Sequence, residues 1–195
     1  MFVIGITGRL GSGKSTVASL FAKEGARVLN ADKVAHELLQ EGTSCYKKVV
    51  ELFGQQIVSR GCIDRKKLAG IVFRSKTKLN KLMAIIHPEV TKVFKAELKK
   101  HRGKRKVIIL DVPLLFESGQ NKLCDITIVV KANKQICIDR AAKNLEIIKA
   151  EALRRMNMQM PQQKKIRLAD IVINNNQIIQ TRKQVKHYAK EYFER

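Results

Sequence analysis

The chain has no tryptophan and only three prolines, and aromatic residues fill just 5% of its 195 positions. Scarce aromatics leave little for base stacking, and neither an aromatic RNA-binding signature nor a paired Cys/His finger spacing is present. No stretch holds eighteen consecutive apolar residues, so no membrane-spanning helix is expected. The sequence enters an apolar, strand-like run at once, without a basic leader or cleavage site, so no signal peptide is expected and the chain is read as cytoplasmic. The four cysteines, Cys45, Cys62, Cys124 and Cys137, form no C-x-x-C pair. A zinc knuckle or disulfide framework is therefore not indicated, and reduced thiols packed as small apolar groups are expected. Acidic residues are also scarce: 17 Asp and Glu face 39 Lys and Arg, a formal charge of +22. Such a surface attracts polyanions. The basic residues are nevertheless spread along the chain, so a diffuse surface suited to phosphorylated substrates is read in preference to a nucleic-acid site. A monomer with small-molecule substrates is expected, with no specific nucleic-acid or membrane partner.

What is present begins at GITGRLGSGKST, positions 5–16. Gly8, four residues, then Gly13, Lys14 and Ser15 satisfy G-x-x-x-x-G-K-[ST] at every fixed position. Backbone N–H groups converge on a phosphate only where the chain takes conformations that side chains forbid, which is the use of Gly8, Gly11 and Gly13. Lys14 would reach the β and γ phosphates of a nucleoside triphosphate, and Ser15 would offer its hydroxyl to Mg²⁺. The preceding MFVIGIT reads as a buried strand and the following STVASLFAKEG as a helix whose N-terminus faces the phosphates. Gly8, Gly11, Ser12, Gly13, Lys14, Ser15 and Thr16 are the expected ATP-binding positions of this loop.

Strand-like runs recur at 2–7, 27–31, 106–111, 125–130 and 170–175, with helical patterns between them. The fold predicted is α/β, a P-loop core with a five-stranded parallel sheet. About 75 residues between the second and third strands read almost entirely as helix, with Pro88 breaking the last segment. They are expected to form a helical insertion over the carboxyl edge of the sheet, where open α/β folds bind substrates. The expected division is a core of 1–31, 104–132 and 169–195, a substrate-binding insertion of 32–103, and a lid of 133–168. A closing amphipathic helix is expected at Ile178, Thr181, Val185, Tyr188 and Tyr192.

A triphosphate loop alone leaves kinases, GTPases, ATPases and helicases open. Neither N-K-x-D nor D-x-x-G is present, and a helicase or transporter needs more chain; a small phosphotransferase remains. Phosphoryl transfer to a hydroxyl requires in-line positioning, charge neutralisation and a group that orients or deprotonates the nucleophile. Asp32, in NADKVAHEL at the end of the second strand, is the candidate for the last role; it also suits an N-cap for the helix that follows. Asp111 ends the apolar strand VIILD, as an acid that supports Mg²⁺ does in P-loop enzymes. As a lone acid at a strand end it equally suits a turn.

TGRLGSGKST, NADKVAHEL, IDRKKL, IIHPEV, LDVPLLFESG and ADIVINN, in that order over nearly the full chain, resemble the dephospho-CoA kinases. The resemblance implies ATP-dependent phosphorylation of the 3′-hydroxyl of dephospho-CoA, with Mg²⁺, to give CoA and ADP, the last step of CoA synthesis. It also implies a CoA-binding helical domain and a lid. By position, it makes Asp32 the activator of the acceptor hydroxyl and places Thr7, Arg65, His87, Pro113, Leu114 and Glu117 at the acceptor. Leu114 and Leu115 also suit a core position. Asn175 is placed beside the adenine and Arg140 on the transferring phosphate. The family carries a second lid arginine four residues on, where this chain has the uncharged Asn144. A kinase acting on another nucleoside or nucleotide is the alternative with the same fold, and a nucleic-acid-binding protein with a P-loop switch is the alternative of another class.

Overall fold

In the computed structural model of the chain, residues 1–193 are described; positions 194 and 195, the end of the expected core segment, lie outside them. The run FVIGIT forms β1 (Phe2–Thr7), buried from Val3 onward. An unbroken apolar strand of this kind, rich in β-branched residues, belongs at the centre of a parallel sheet, where both of its faces are covered. It pairs in parallel with β5 (Val107–Asp111), Ile6 opposite Asp111, and on its other side with β6 (Ile126–Lys131), Thr7 opposite Val129. The edge strands are β2 (Arg27–Asn30), with Asn30 opposite Asp111, and β7 (Ile171–Asn174), with Lys131 opposite Asn174. Among the described residues the order is β2-β5-β1-β6-β7, so the carboxyl ends of β1, β5 and β6 open side by side. All five strand readings are matched to within about a residue.

The chain divides into two compact units, Met1–Asn30 with Lys100–Arg195, and Ala31–Lys99. In the first, α1 (Lys14–Lys23) and α9 (Ile178–Phe193) cover one sheet face. Val17, Ala18 and Phe21 of α1 and Val185 and Ala189 of α9 pack on Ile4, Ile6, Ile109, Ile128 and Ile173. Thr181, Val185 and Ala189 form the buried stripe of α9; Ile178, expected on it, is 44% exposed. Three shorter helices, α6 (Lys134–Leu145), α7 (Lys149–Asn157) and α8 (Gln162–Leu168), fill the segment between β6 and β7. A small cluster of Cys137, Ile138, Ala141, Ala152 and Met156 holds α6 against α7.

The second unit contains α2 (Ala31–Leu38), α3 (Ser44–Phe53), α4 (Arg65–Val72) and α5 (Lys76–Lys100). Two features depart from expectation. A two-stranded antiparallel hairpin, β3 (Val58–Ser59) and β4 (Cys62–Ile63), interrupts what reads as helix; Gly61 provides its positive φ of 81°. Pro88 does not break the last segment: α5 runs through it for 25 residues. The missing proline N–H removes one helical bond, a cost of about 3 kcal/mol. Leu79, Leu82, Ile86, Val90, Phe94 and Leu98 keep one buried face on both sides of it, each contributing about 1.5–3 kcal/mol, so packing outweighs the break.

Among the described residues no helix is long and apolar enough to cross a membrane. The four cysteines are free thiols; burial, together with the nearby Asp125 and Asp170 carboxylates, pushes that of Cys124 up to about 12.

Candidate active site

The phosphate loop follows β1 and turns into α1 at Gly13, which takes a left-handed conformation with φ of 86°. A side chain there is excluded twice over, because its Cβ would also land on the Asn175 amide. No side chain caps α1, and its first turn holds no acidic residue. That leaves the positive end of the helix for an external anion. The loop is braced from behind. Asn175 Nδ2 donates to the Ser12 carbonyl at 2.8 Å, Thr181 Oγ1 donates to Asn175 Oδ1 at 2.8 Å, and Arg140 Nη1 donates to the Asn175 carbonyl at 3.0 Å. Asn175 is 3% exposed. Its side chain is thus engaged by the loop and by Thr181, and it acts on the phosphate site through the loop. Arg140, half-buried, stands against Gly13, while Asn144 lies exposed on the same helix.

Asp111 is 2% exposed at the carboxyl end of β5. Its Oδ2 accepts from Asn30 Nδ2 at 2.8 Å and from Ser15 Oγ at 3.3 Å. The register places Asn30 and Ile6 on either side of it, so this carboxylate is set by the sheet and not by a flexible loop. Ser15 and Asp111 offer hard oxygen donors beside the phosphate loop, the chemistry that Mg²⁺ selects. No cluster of three metal-ligating side chains exists among the described residues. A magnesium ion held mainly by water and phosphate oxygens, with one or two protein donors, needs none.

Beyond β5, Pro113 and Glu117 are gathered by a group of residues that the sequence did not single out. Gln159, Gln162 and Lys165, at three-residue spacing across the start of α8, tie together the loops at three strand ends. Gln159 Oε1 accepts from Leu10 N at 2.8 Å, and Gln162 Oε1 accepts from Arg9 N at 3.1 Å and Arg9 Nε at 3.2 Å. Gln162 Nε2 donates to the Val130 carbonyl at 3.3 Å. Lys165 Nζ donates to the Pro113 carbonyl at 2.7 Å and pairs with Glu117 Oε1 at 3.0 Å. Thr7 Oγ1 donates to that same Pro113 carbonyl at 3.0 Å, and Met160 N donates to Glu117 Oε1 at 2.9 Å. Lys165 is fully buried. Burial pushes its ammonium pKa down, Glu117 opposes that shift by attraction and hydrogen bonding, and the Lys14 charge adds to it. One signal was readable: α8 has no apolar stripe, burying Gln162 and Lys165 while Leu168 is 50% exposed. Leu115 is fully buried in the core, whereas Leu114 is half-buried.

Asp32, Arg65 and His87 belong to the second unit. Asp32 is exposed in the first turn of α2, inside the helix where an N-cap was the competing expectation; an acid there complements the helix dipole. Arg65 is exposed at the start of α4, whose cap is Asp64, accepting from Lys66 N and Lys67 N. His87 is half-buried midway along α5, and its carbonyl accepts from Thr91 Oγ1 at 2.8 Å.

An all-parallel sheet, a glycine loop opening a helix beneath Lys14, and a buried strand-end acid bonded to the loop serine define a P-loop kinase. The chain belongs to the dephospho-CoA kinase family, whose model matches residues 2–181. It is 42% identical to the dephospho-CoA kinase of Fusobacterium nucleatum over 90% of each chain. Among solved structures, TT1252 from Thermus thermophilus superposes with a TM-score of 0.81 at 32% identity, covering 98% of this chain and 97% of that one. Dephospho-CoA kinase from Campylobacter jejuni superposes with a TM-score of 0.71 at 25% identity, again covering 98% and 97%.

Proposed function

We propose that the chain transfers the γ-phosphoryl group of ATP to the 3′-hydroxyl of dephospho-CoA, giving CoA and ADP, the last step of CoA synthesis. The observation that carries this reading is the match to the dephospho-CoA kinase family over residues 2–181, a span that contains both the braced phosphate loop and Asp111.

In this reading the N–H groups of the loop and of the first turn of α1, from Gly8 through Thr16, hold the triphosphate, and Lys14 neutralises its β and γ oxygens. Ser15 and Asp111 would hold Mg²⁺, which when bound supplies positive charge across the same oxygens. Arg140, fixed to the Asn175 carbonyl, faces the charge that builds on the transferring group. The acceptor oxygen attacks the γ phosphorus as the bond to the β–γ bridging oxygen breaks, and Asp32 takes the hydroxyl proton. By the family resemblance, Thr7, Arg65, His87, Pro113, Leu114 and Glu117 are each assigned to the acceptor. Substrate positioning of this kind supplies the larger part of phosphoryl-transfer catalysis.

The test is an acceptor screen with Mg·ATP, measuring ADP release with dephospho-CoA against nucleosides, nucleoside monophosphates and small alcohols. Turnover confined to dephospho-CoA is expected. Efficient turnover of another acceptor, with dephospho-CoA inert, overturns the assignment while leaving the kinase fold intact.

A further inference from the structure

We propose that Lys165 is a positioning residue for the acceptor: it fixes Glu117 so that one carboxylate oxygen is spent within the protein and the other is presented to the substrate. The inference rests on the reading of the 113–117 loop as part of the acceptor site.

Among the described residues, the bonds to the Glu117 carboxylate from Lys165 Nζ and from Met160 N both fall on Oε1. The Glu117 side chain is 21% exposed, and Oε2, which takes neither of these bonds, has the lone pairs to accept from a hydroxyl or an amino group. Lys165, in contrast, is 0% exposed, and its carbon stem and ammonium are sealed between α8 and the loop after β5. An ammonium with no access to water is retained only where its partners are fixed, and here the partners are the Glu117 carboxylate and the Pro113 carbonyl. Those two groups bracket the 113–117 turn at both ends. The Pro113 carbonyl is held a second time by Thr7 Oγ1, the last residue before the phosphate loop. Lys165 therefore sets the position of the loop relative to the end of β1 as well as the rotamer of Glu117.

The pairing also explains why so basic a site tolerates another lysine. The charge of Lys165 is neutralised by Glu117, so the pair adds no net charge near Lys14 and Arg140, and its effect is directed to the acceptor side. A purely structural bridge between α8 and the loop would weaken folding and affect both substrates alike. A positioning residue changes one substrate and not the other.

The experiment measures KM for dephospho-CoA and for ATP, kcat and melting temperature in the wild type, Lys165→Met, Glu117→Gln and the double variant. Each single change is expected to raise KM for dephospho-CoA roughly tenfold or more, the effect of losing one charged hydrogen bond, with KM for ATP within about twofold of wild type. The double variant is expected to be no worse than the worse single one, because the two residues act as a unit. It also buries no unpaired charge, so it reports on the site even where Lys165→Met folds poorly. Equal changes in both KM values, or additive losses in the double variant, overturn the role of Lys165 while dephospho-CoA turnover persists. A wild-type chain that neither binds nor phosphorylates dephospho-CoA overturns the functional reading itself, and this inference with it.

Discussion

The side-chain amide of Asn175 reaches across 163 positions of sequence to donate to the Ser12 carbonyl at 2.8 Å, and the space it fills is the space a Cβ at Gly13 would need. The loop that meets phosphate is thus shaped from the far end of the sheet. Asn175→Ala leaves a buried carbonyl without its donor, at a cost of about 1–3 kcal/mol. A lower melting temperature and a raised KM for ATP are expected. Gly13→Ala is expected to be worse, and adding Asn175→Ala to it should recover part of the loss by removing the clash, though not the strain of a φ of 86°. Melting curves and ATP titrations on the three variants check this; a double variant weaker than Gly13→Ala contradicts it.

Asp111 is held by Asn30 from one side and touched by Ser15 from the other. Asp111→Asn keeps the volume and removes the charge. The concentration of Mg²⁺ needed for half-maximal activity is expected to rise on the order of tenfold, with the fold intact, since one charge-assisted oxygen contact is lost. Magnesium titrations at saturating ATP measure it, and an unchanged requirement would remove Asp111 from the metal site.

Burial holds Lys165 below the ordinary lysine value of 10.5. Between its lowered value and 10.5 the unfolded chain binds a proton that the folded chain has released. The contribution of this position to stability therefore rises with pH through that window. The melting temperature of the wild type, relative to Lys165→Met, should climb as pH is raised through that window toward 10.5. A difference that falls over the same range contradicts the environment described for Lys165.

Asp32 stands exposed in the first turn of α2. As the group that takes the acceptor proton, its replacement by Asn should lower kcat by about 10²-fold or more while KM for ATP stays near wild type. As a helix-dipole acid alone, the change would cost a few tenths of a kcal/mol of stability and leave turnover untouched. Steady-state kinetics separate the two.

The strands and the phosphate loop were legible because their signals are local. FVIGIT and VIILD are continuous apolar runs between polar breaks, and the glycines from Gly8 to Gly13 fall at fixed intervals before a helical pattern. Pro88 misled because its cost is local while what overrides it, the buried face from Leu79 to Leu98, is collective. The bond from Asn175 to the loop was not legible, since nothing in ADIVINN indicates that its amide turns toward Ser12. Lys165 stayed hidden among 39 basic residues: a lysine is ordinarily solvated, and only the meeting of α8 with the loop after β5 makes this one buried. Hairpin β3–β4 was too short for a periodicity to register.

The destination of the phosphoryl group can be followed directly by labelling. The wild-type chain is incubated with Mg²⁺, dephospho-CoA and ATP labelled in the γ position, and the site of the label in the product is determined by mass spectrometry and ³¹P NMR. The expected outcome is one labelled phosphate on the ribose 3′-oxygen, in equal amount to the ADP formed, with no transfer in Lys14→Ala. Labelled inorganic phosphate with unchanged dephospho-CoA, or label at any other position, would contradict it.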